Sequence, residues 1–348
     1  MPKDIVGVDI GSSSIRAVEV SDANGARPSV LRYCEVPLPS GAAKSGDVLE
    51  VHSVAGALKS LWTAGGFKSK DVVLGMGSQR VLARDLTVPK MSLQQIRESL
   101  PFQVQEMLPV PVADAILDFY PVSETVSESG TVVNGLLVAA VTEAVTANVN
   151  AVQLAGLNTI EVDLVPFALA RVFLREQNAV GTIAIIDFGA STTNVVIATN
   201  GVPQFVRIIP SGSDDISKAL SARLNITAEV AEQAKHLLGI GTGTVQPEHQ
   251  EAVQTIIEAT GQLLTSIRNT LNYFVNSHQQ EPIARIILNG SGARLTGFPD
   301  ALSELTRTPV TVEHGFENIK FSPSAESASA GDRGSMTVAL GLALGSTH

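Results

Sequence analysis

At 348 residues the chain is too long for one ordinary hydrophobic core, so two domains are expected, each able to bury a core of its own. Apolar residues make up 44% of it, within the globular range, and a net charge of −10 argues against a nucleic-acid partner, which requires a basic face. Cys34 is the single cysteine, which excludes an internal disulfide framework and a cysteine-rich zinc site and fits a reducing compartment. The opening Met1-Pro2-Lys3-Asp4 leads into no signal-peptide pattern, and no apolar run reaches membrane-spanning length, so a cytoplasmic placement is expected.

In chain order, Ile5 to Val8 and Ile15 to Val20 read as two strands around Asp9-Ile10-Gly11-Ser12-Ser13-Ser14, and Ser29 to Val36 as a third. Val51, Val54, Leu58 and Leu61 recur at helical spacing until Gly65-Gly66, and Asp71 to Gly77 is a short buried strand ending in glycines. The segment 81–157 reads as a separate α+β piece: a strand from Val81 to Val88, a helix from Leu93 to Met107, strands at Ile116 to Val122 and Val132 to Val141, and a helix from Thr142 to Ala155. Thr159 to Leu164 is then a strand, and Pro166 opens a helix to about Glu176. The first α/β unit is therefore expected at 1–80 and 158–180, with 81–157 inserted as a candidate partner-binding module.

From Gly181 the grammar repeats. Ile183 to Ile186 and Val195 to Ala198 flank Asp187-Phe188-Gly189-Ala190-Ser191-Thr192-Thr193-Asn194, and Gln204 to Ile209 follows as a third strand. Helices are expected at Ile216 to Leu224, Ala228 to Leu237 and Glu251 to Ser277, the last with Val253, Ile256, Ile257, Leu263, Leu264, Ile267 and Leu271 on its inner stripe. Pro282 to Leu288 reads as a strand emptying into the glycine turn Asn289 to Arg294, Ser322 to Gly334 as a loop, and Met336 to Leu344 as a closing helix that packs between domains. The second unit is expected at 181–213 and 278–348, with 214–277 as a helical subdomain beside the ligand.

A glycine with small hydroxyl residues at a strand turn lets backbone N–H groups approach an anion, and a carboxylate closing the first strand can hold a hydrated cation beside it. Two such turns in duplicated halves, with a third glycine turn at Gly290 and Gly292, suggest a nucleotide gripped between two domains. The six histidines are scattered without metal-ligand spacing and receive no role.

This ordered set resembles the actin-like ATPase superfamily, which implies an α/β fold of duplicated ribonuclease H-like units with an inserted small α+β subdomain. On that resemblance Gly11, Ser12, Ser13, Ser14 and Arg16 form the first phosphate motif, Gly189, Ser191, Thr192 and Thr193 the second, and Gly290, Ser291, Gly292 and Arg294 the adenosine motif. Ala231-Glu232-Gln233-Ala234-Lys235 is similar to the Glu-x-x-Lys helix that flanks the nucleoside, implicating Glu232 and Lys235. ATP and Mg²⁺ are the implied cofactors, with Asp9 and Asp187 as the metal-positioning pair.

Within the superfamily the opening Val8 to Arg16, the turn Asp187 to Thr192, the stretches Leu86 to Met91 and Glu106 to Pro109, and Arg268 to Phe274 are similar to the PilM family of type IV pilus assembly. The resemblance implies an ATP-binding scaffold at the inner face of the cytoplasmic membrane that captures the N-terminal tail of a PilN-like membrane protein. The tail groove would lie between the first α/β unit and the inserted piece. Active superfamily members carry a water-orienting Glu, Gln or Asp where this chain has Val165, and Asp163 sits two residues early, so little or no turnover is expected. Two rivals remain open. One is a small-molecule kinase of the same superfamily; the other is an FtsA-like filament former, against which no basic amphipathic helix follows Leu344.

Overall fold

An antiparallel meander opens the chain: β1 (Ile5–Ile10), β2 (Ser14–Ser21) and β3 (Ser29–Pro37). The two-residue strands β4 (Ala43–Lys44) and β5 (Asp47–Val48) form a small hairpin before α1 (Val51–Gly65). Helix α1 buries Val54, Ala55, Leu58 and Leu61 and ends at Gly66, whose φ of 62° is the left-handed stop a glycine supplies. β6 (Asp71–Met76) returns parallel to β1. The computed structural model describes residues 4–127, 130–175, 179–241, 246–278, 282–330 and 333–345.

Next come β7 (Val81–Pro89), α2 (Leu93–Gln103), β8 (Ala115–Ser127), β9 (Gly130–Val141) and α3 (Thr142–Leu154). The three strands form a sheet of their own, in the order β7-β9-β8. The helix expected to run to Met107 stops at Gln103, and a separate single turn covers Gln105–Met107. Pro101 in the last turn, and Leu108 held extended before Pro109, account for the break.

β10 (Asn158–Leu164) then lies parallel to β6, and α4 (Val165–Phe173) follows without a gap. The end expected for this helix at Glu176 lies outside the described residues. The second meander is β11 (Thr182–Phe188), β12 (Thr193–Thr199) and β13 (Val202–Ile209). After it come α5 (Ser213–Leu224), α6 (Ala228–Leu238), α7 (Gln250–His278), β14 (Arg285–Asn289), α8 (Phe298–Thr306) and β15 (Val310–Val312). The strand expected from Pro282 begins only at Arg285, and Ile257, expected on the inner stripe of α7, is exposed because Ile256 takes the inward position. The closing elements are β16 (Lys320–Phe321), α9 (Pro323–Ser329) and α10 (Thr337–Ala343). Helix α9 stands where a loop was expected. Ser322 caps it by accepting from the Ala325 N–H, Pro323 suits its first turn, and its small residues Ala325 and Ser329 bury.

The duplication is visible in strand order: β3-β2-β1-β6-β10 in one sheet corresponds to β13-β12-β11-β14-β15 in the other, with β16 added at the β3 edge of the first. Strand β11 is buried throughout, which explains its unbroken apolar run. Helices α4 and α10 lie between the sheets, where Val73 of the first sheet shares a core with Ile183, Ile185, Val196 and Ile287 of the second through Ala168, Leu169 and Leu342. Glycines make this layer possible. A Cβ on Gly7 would sit 2.0 Å from the Ala339 carbonyl oxygen, and one on Gly341 would sit 2.1 Å from that of Ala168.

Candidate functional site

The two meander turns are built alike. In the first, the Gly11 N–H donates to the Ser14 carbonyl at 2.9 Å, and in the second the Gly189 N–H donates to the Thr192 carbonyl at 3.0 Å. Both turns face one cleft, and their tips touch: Ser12 Oγ and Ser191 Oγ are 2.6 Å apart, with the Ser45 N–H donating to Ser12 Oγ at 3.0 Å. Of the residues expected here, Asp9, Gly11, Ser12, Ser13, Arg16, Asp187, Gly189, Ser191, Thr192, Gly290 and Ser291 line the cleft.

Equivalent cross-strand positions carry different partners. Asp9 pairs with Arg16 in the first ladder and Asp187 with Asn194 in the second. Arg16 Nη1 is 3.4 Å from Asp9, and its other Nη lies 3.0 Å from Glu35. Asp187 has only neutral donors, Asn194 Nδ2 at 3.4 Å and Asn289 Nδ2 at 3.1 Å. Burial raises both carboxyls. For Asp9 the Arg16 guanidinium opposes the rise, whereas Asp187 is pushed up to about 6 by burial and then by the facing charge of Asp9. Glu35 behaves oppositely: burial would raise it, but Arg16, Ser14 and Tyr33 together hold it below the ordinary carboxylate value.

Two facing acids, of which only Asp9 has a guanidinium partner and shares it with Glu35, favour a cation. Among the described residues no group of three or more acidic, histidine or cysteine side chains could hold a metal ion, so a divalent ion here would take most of its ligands from water and phosphate, as Mg²⁺ does. The donor set fits that ion. Asn194, buried, has a side-chain oxygen without a partner beside the same acids, and would accept from an ion-bound water.

The other expected residues lie outside the lining. Ser14 and Thr193 serve through the turn: the Ser14 carbonyl closes it, and Thr193 Oγ1 donates to the Ser211 carbonyl at 2.8 Å. Gly292 is pressed on the Phe188 ring, which a Cβ would meet at 2.5 Å, and Arg294 is not on the cleft wall. Glu232 and Lys235 stand behind the second turn. Lys235 is buried, and its Nζ donates to the Ser213 carbonyl at 3.2 Å and to Glu232 at 2.8 Å. Ser213 and Asp214 in turn donate their N–H groups to the Gly189 and Ala190 carbonyls at 3.0 and 2.8 Å. Glu232 and Lys235 thus connect to the second turn through Ser213 and are not among the residues that line the cleft.

Several lining residues escaped the sequence reading: Ser45 and Gly46 of the small hairpin, Gly75, Gly77 and Ser335, while Asn194 entered it only as the end of the second motif. The glycines ending β6 and the asparagine ending the second motif were the available signals. Gly290, at φ 93°, is required: a Cβ there would sit 2.5 Å from the Phe188 carbonyl oxygen and 2.9 Å from Asp187. Val165 lines the cleft against Gly77, while Asp163 is ion-paired to Arg171 and accepts from the Leu164 N–H, off the cleft wall.

A family model described as type IV pilus assembly protein PilM matches residues 7–347. Among solved structures, the PilM-PilN type IV pilus biogenesis complex is similar over 99% of this chain and 98% of its own, with a TM-score of 0.83 and 25% identity. MreB5 of Spiroplasma citri bound to ADP shares the fold at a TM-score of 0.53 and 12% identity, covering 94% of each chain. Cell division protein FtsA of Bacillus subtilis (strain 168) is 22% identical over 295 residues, 73% of this chain and 66% of FtsA, so the chain spans just under two thirds of that relative.

Proposed function

The chain belongs to the PilM family of type IV pilus assembly proteins and has the actin-like ATPase fold, and from that premise we propose that it is an ATP-binding pilus-assembly scaffold that docks the N-terminal tail of a PilN-like membrane protein. The observation that carries the nucleotide half is the meeting of two equivalent acid–glycine turns at one cleft, with Asp187 held by neutral amides alone and facing Asp9. Asp9 and Asp187 would hold Mg²⁺, which when bound offsets phosphate charge. Backbone N–H groups around Gly11 and Gly189 would cradle the phosphates. Lys235 and the start of α5 fix the second turn, and Gly290 with Ser291 borders the nucleoside side. Val165, where a water-orienting carboxylate would stand, supports binding with little or no turnover, and Asp163 is committed to Arg171.

The tail half is supported by a mainly apolar groove between the inserted piece and the first sheet, lined by Leu93, Ile116, Tyr120, Val162 and Phe167. Tyr120 and Phe167 stack there with centroids 4.8 Å apart. Among the described residues no helix is long and apolar enough to cross a membrane, and the proposed place at the inner face of the cytoplasmic membrane comes through the tail partner. The test is a calorimetric titration of synthetic N-terminal tails of PilN-like proteins into the full chain, with and without ATP–Mg²⁺. Tail binding that tightens with nucleotide is the expected result, and no binding in either state overturns the docking role. A robust ATPase rate abolished by Asp163→Ala overturns the low-turnover part.

A further inference from the structure

The inserted sheet has a second open edge, and it faces the other half of the molecule. Among the described residues β7 pairs only with β9, β13 only with β12, and no ladder joins β7 to β13 although they border one groove. This groove holds about 630 Å³ and has an apolar floor that includes Leu82, Leu136, Phe205 and Tyr273. Tyr273 is 53% exposed, with its ring 5.8 Å from that of the buried Phe205, so one aromatic side chain at the groove stands open to a ligand.

Its lining carries two cations against one acid. Arg84 on β7 and Arg207 on β13 both line the groove, both are exposed, and among the described residues neither forms an ion pair. Asp85, the acid on the same wall, lies 3.6 Å from His278 at the end of α7. Two free guanidiniums thus face one channel in a chain of net charge −10. Charged residues on edge strands also serve to repel stray strands. That role needs neither an apolar floor nor two like charges converging from separate sheets.

We propose that this groove docks an extended acidic segment of a partner protein. The segment adds as a strand to an open edge, sets its carboxylates between Arg84 and Arg207, and lays alternate apolar side chains on the Leu136, Phe205 and Tyr273 floor. Main-chain bonds to the unpaired edge supply affinity, and the two-residue alternation of a strand separates charge from apolar contact. The surface is distinct from the nucleotide cleft and from the tail groove, so it stands or falls independently of them.

The test uses the full chain and two fluorescein-labelled probes in anisotropy titrations, one alternating valine with glutamate and one alternating valine with lysine. The glutamate probe is expected to bind at least about tenfold tighter, to weaken with salt, and to lose about tenfold in the double variant Arg84→Ser, Arg207→Ser. Both positions are exposed, and circular dichroism with thermal unfolding verifies that the variant is folded. Equal binding of the two probes, binding of neither, or glutamate-probe binding unchanged in the variant overturns the proposal. Sedimentation supplies the remaining outcome: self-association of the wild type that the double variant abolishes makes a second copy the occupant, and the proposal falls.

Discussion

Replacing Asp187 by Asn is expected to stabilise the protein while removing its ligand site. The carboxyl is 8% exposed, and its rise from 3.8 to about 6 means that the folded state pays roughly 3 kcal/mol to keep it ionised at neutral pH. An amide removes that penalty but weakens two bonds, from Asn194 and Asn289, at about 1 kcal/mol together. Asn194 can turn its amide over, because its oxygen has no partner to lose. The net gain is then about 1–2 kcal/mol, or about 1.5–3 °C in apparent unfolding temperature for a chain of 348 residues. The pH dependence fixes the sign. Below the unfolded value of 3.8 the carboxyl is protonated in both states, so wild type and variant differ only by the amide's bonds. Between there and about 6 the unfolded chain ionises first, so wild-type stability falls relative to the variant, and above about 6 the gap is constant. Thermal unfolding of both proteins across this range is the assay, repeated with ATP–Mg²⁺, which should stabilise the wild type alone. A variant less stable than wild type at neutral pH, or a gap that does not open across this window, refutes the reasoning.

Gly7→Val places a side chain 2.0 Å from the Ala339 carbonyl and 2.5 Å from the Ala343 nitrogen, so a loss of about 3 kcal/mol or more in urea unfolding is expected, and an unchanged midpoint counts against the close α10 packing. Lys235→Met leaves the Ser213 carbonyl and Glu232 without their ammonium. Loosening the turn that Ser213 supports should cost about 1.5–3 kcal/mol of stability together with nucleotide affinity, both read by calorimetry. Val165→Glu adds a carboxylate at the cleft wall beside Gly77, and a steady-state phosphate-release assay should show turnover rising by up to ~10²-fold over the wild type.

The two turns were legible because each spells its geometry locally, an acid closing a strand, a glycine, and small residues before the next strand, and the spelling occurs twice. What escaped depends on contacts distant in sequence. β15 and β16 are three and two residues long and exist through ladders with β14 and β3 that no local pattern announces. In α9 the cap and proline were present at Ser322 and Pro323, but a run of serines and alanines reads as a loop until it is seen buried against β3. Glu232 and Lys235 show the limit for site residues. Their spacing of three places them on one helix face, yet only the packing of α6 against α5 brings Lys235 to the Ser213 carbonyl and so to the second turn. Ser45, Gly46, Gly75 and Gly77 reach the cleft from segments whose sequence carries no ligand signal beyond their glycines.

Duplication gave the two halves one backbone frame, and the chemistry of the cleft comes from where they differ. At the position facing the acid, the first half has Arg16 and the second has Asn194. Arg16 neutralises Asp9 and is itself held by Glu35, which accepts from the Tyr33 hydroxyl at 3.1 Å, while that hydroxyl lies 2.8 Å from Ser335. The first acid is thus tied into a network reaching the turn before α10, in which Arg16 is shared between Asp9 and Glu35. Asp187 has no guanidinium in hydrogen-bond reach, only the amides of Asn194 and Asn289. Its strand pairs with β12, and β12 pairs with β13, which carries Arg207 at its open edge. The second turn and the surface that carries Arg207 therefore belong to one continuous sheet.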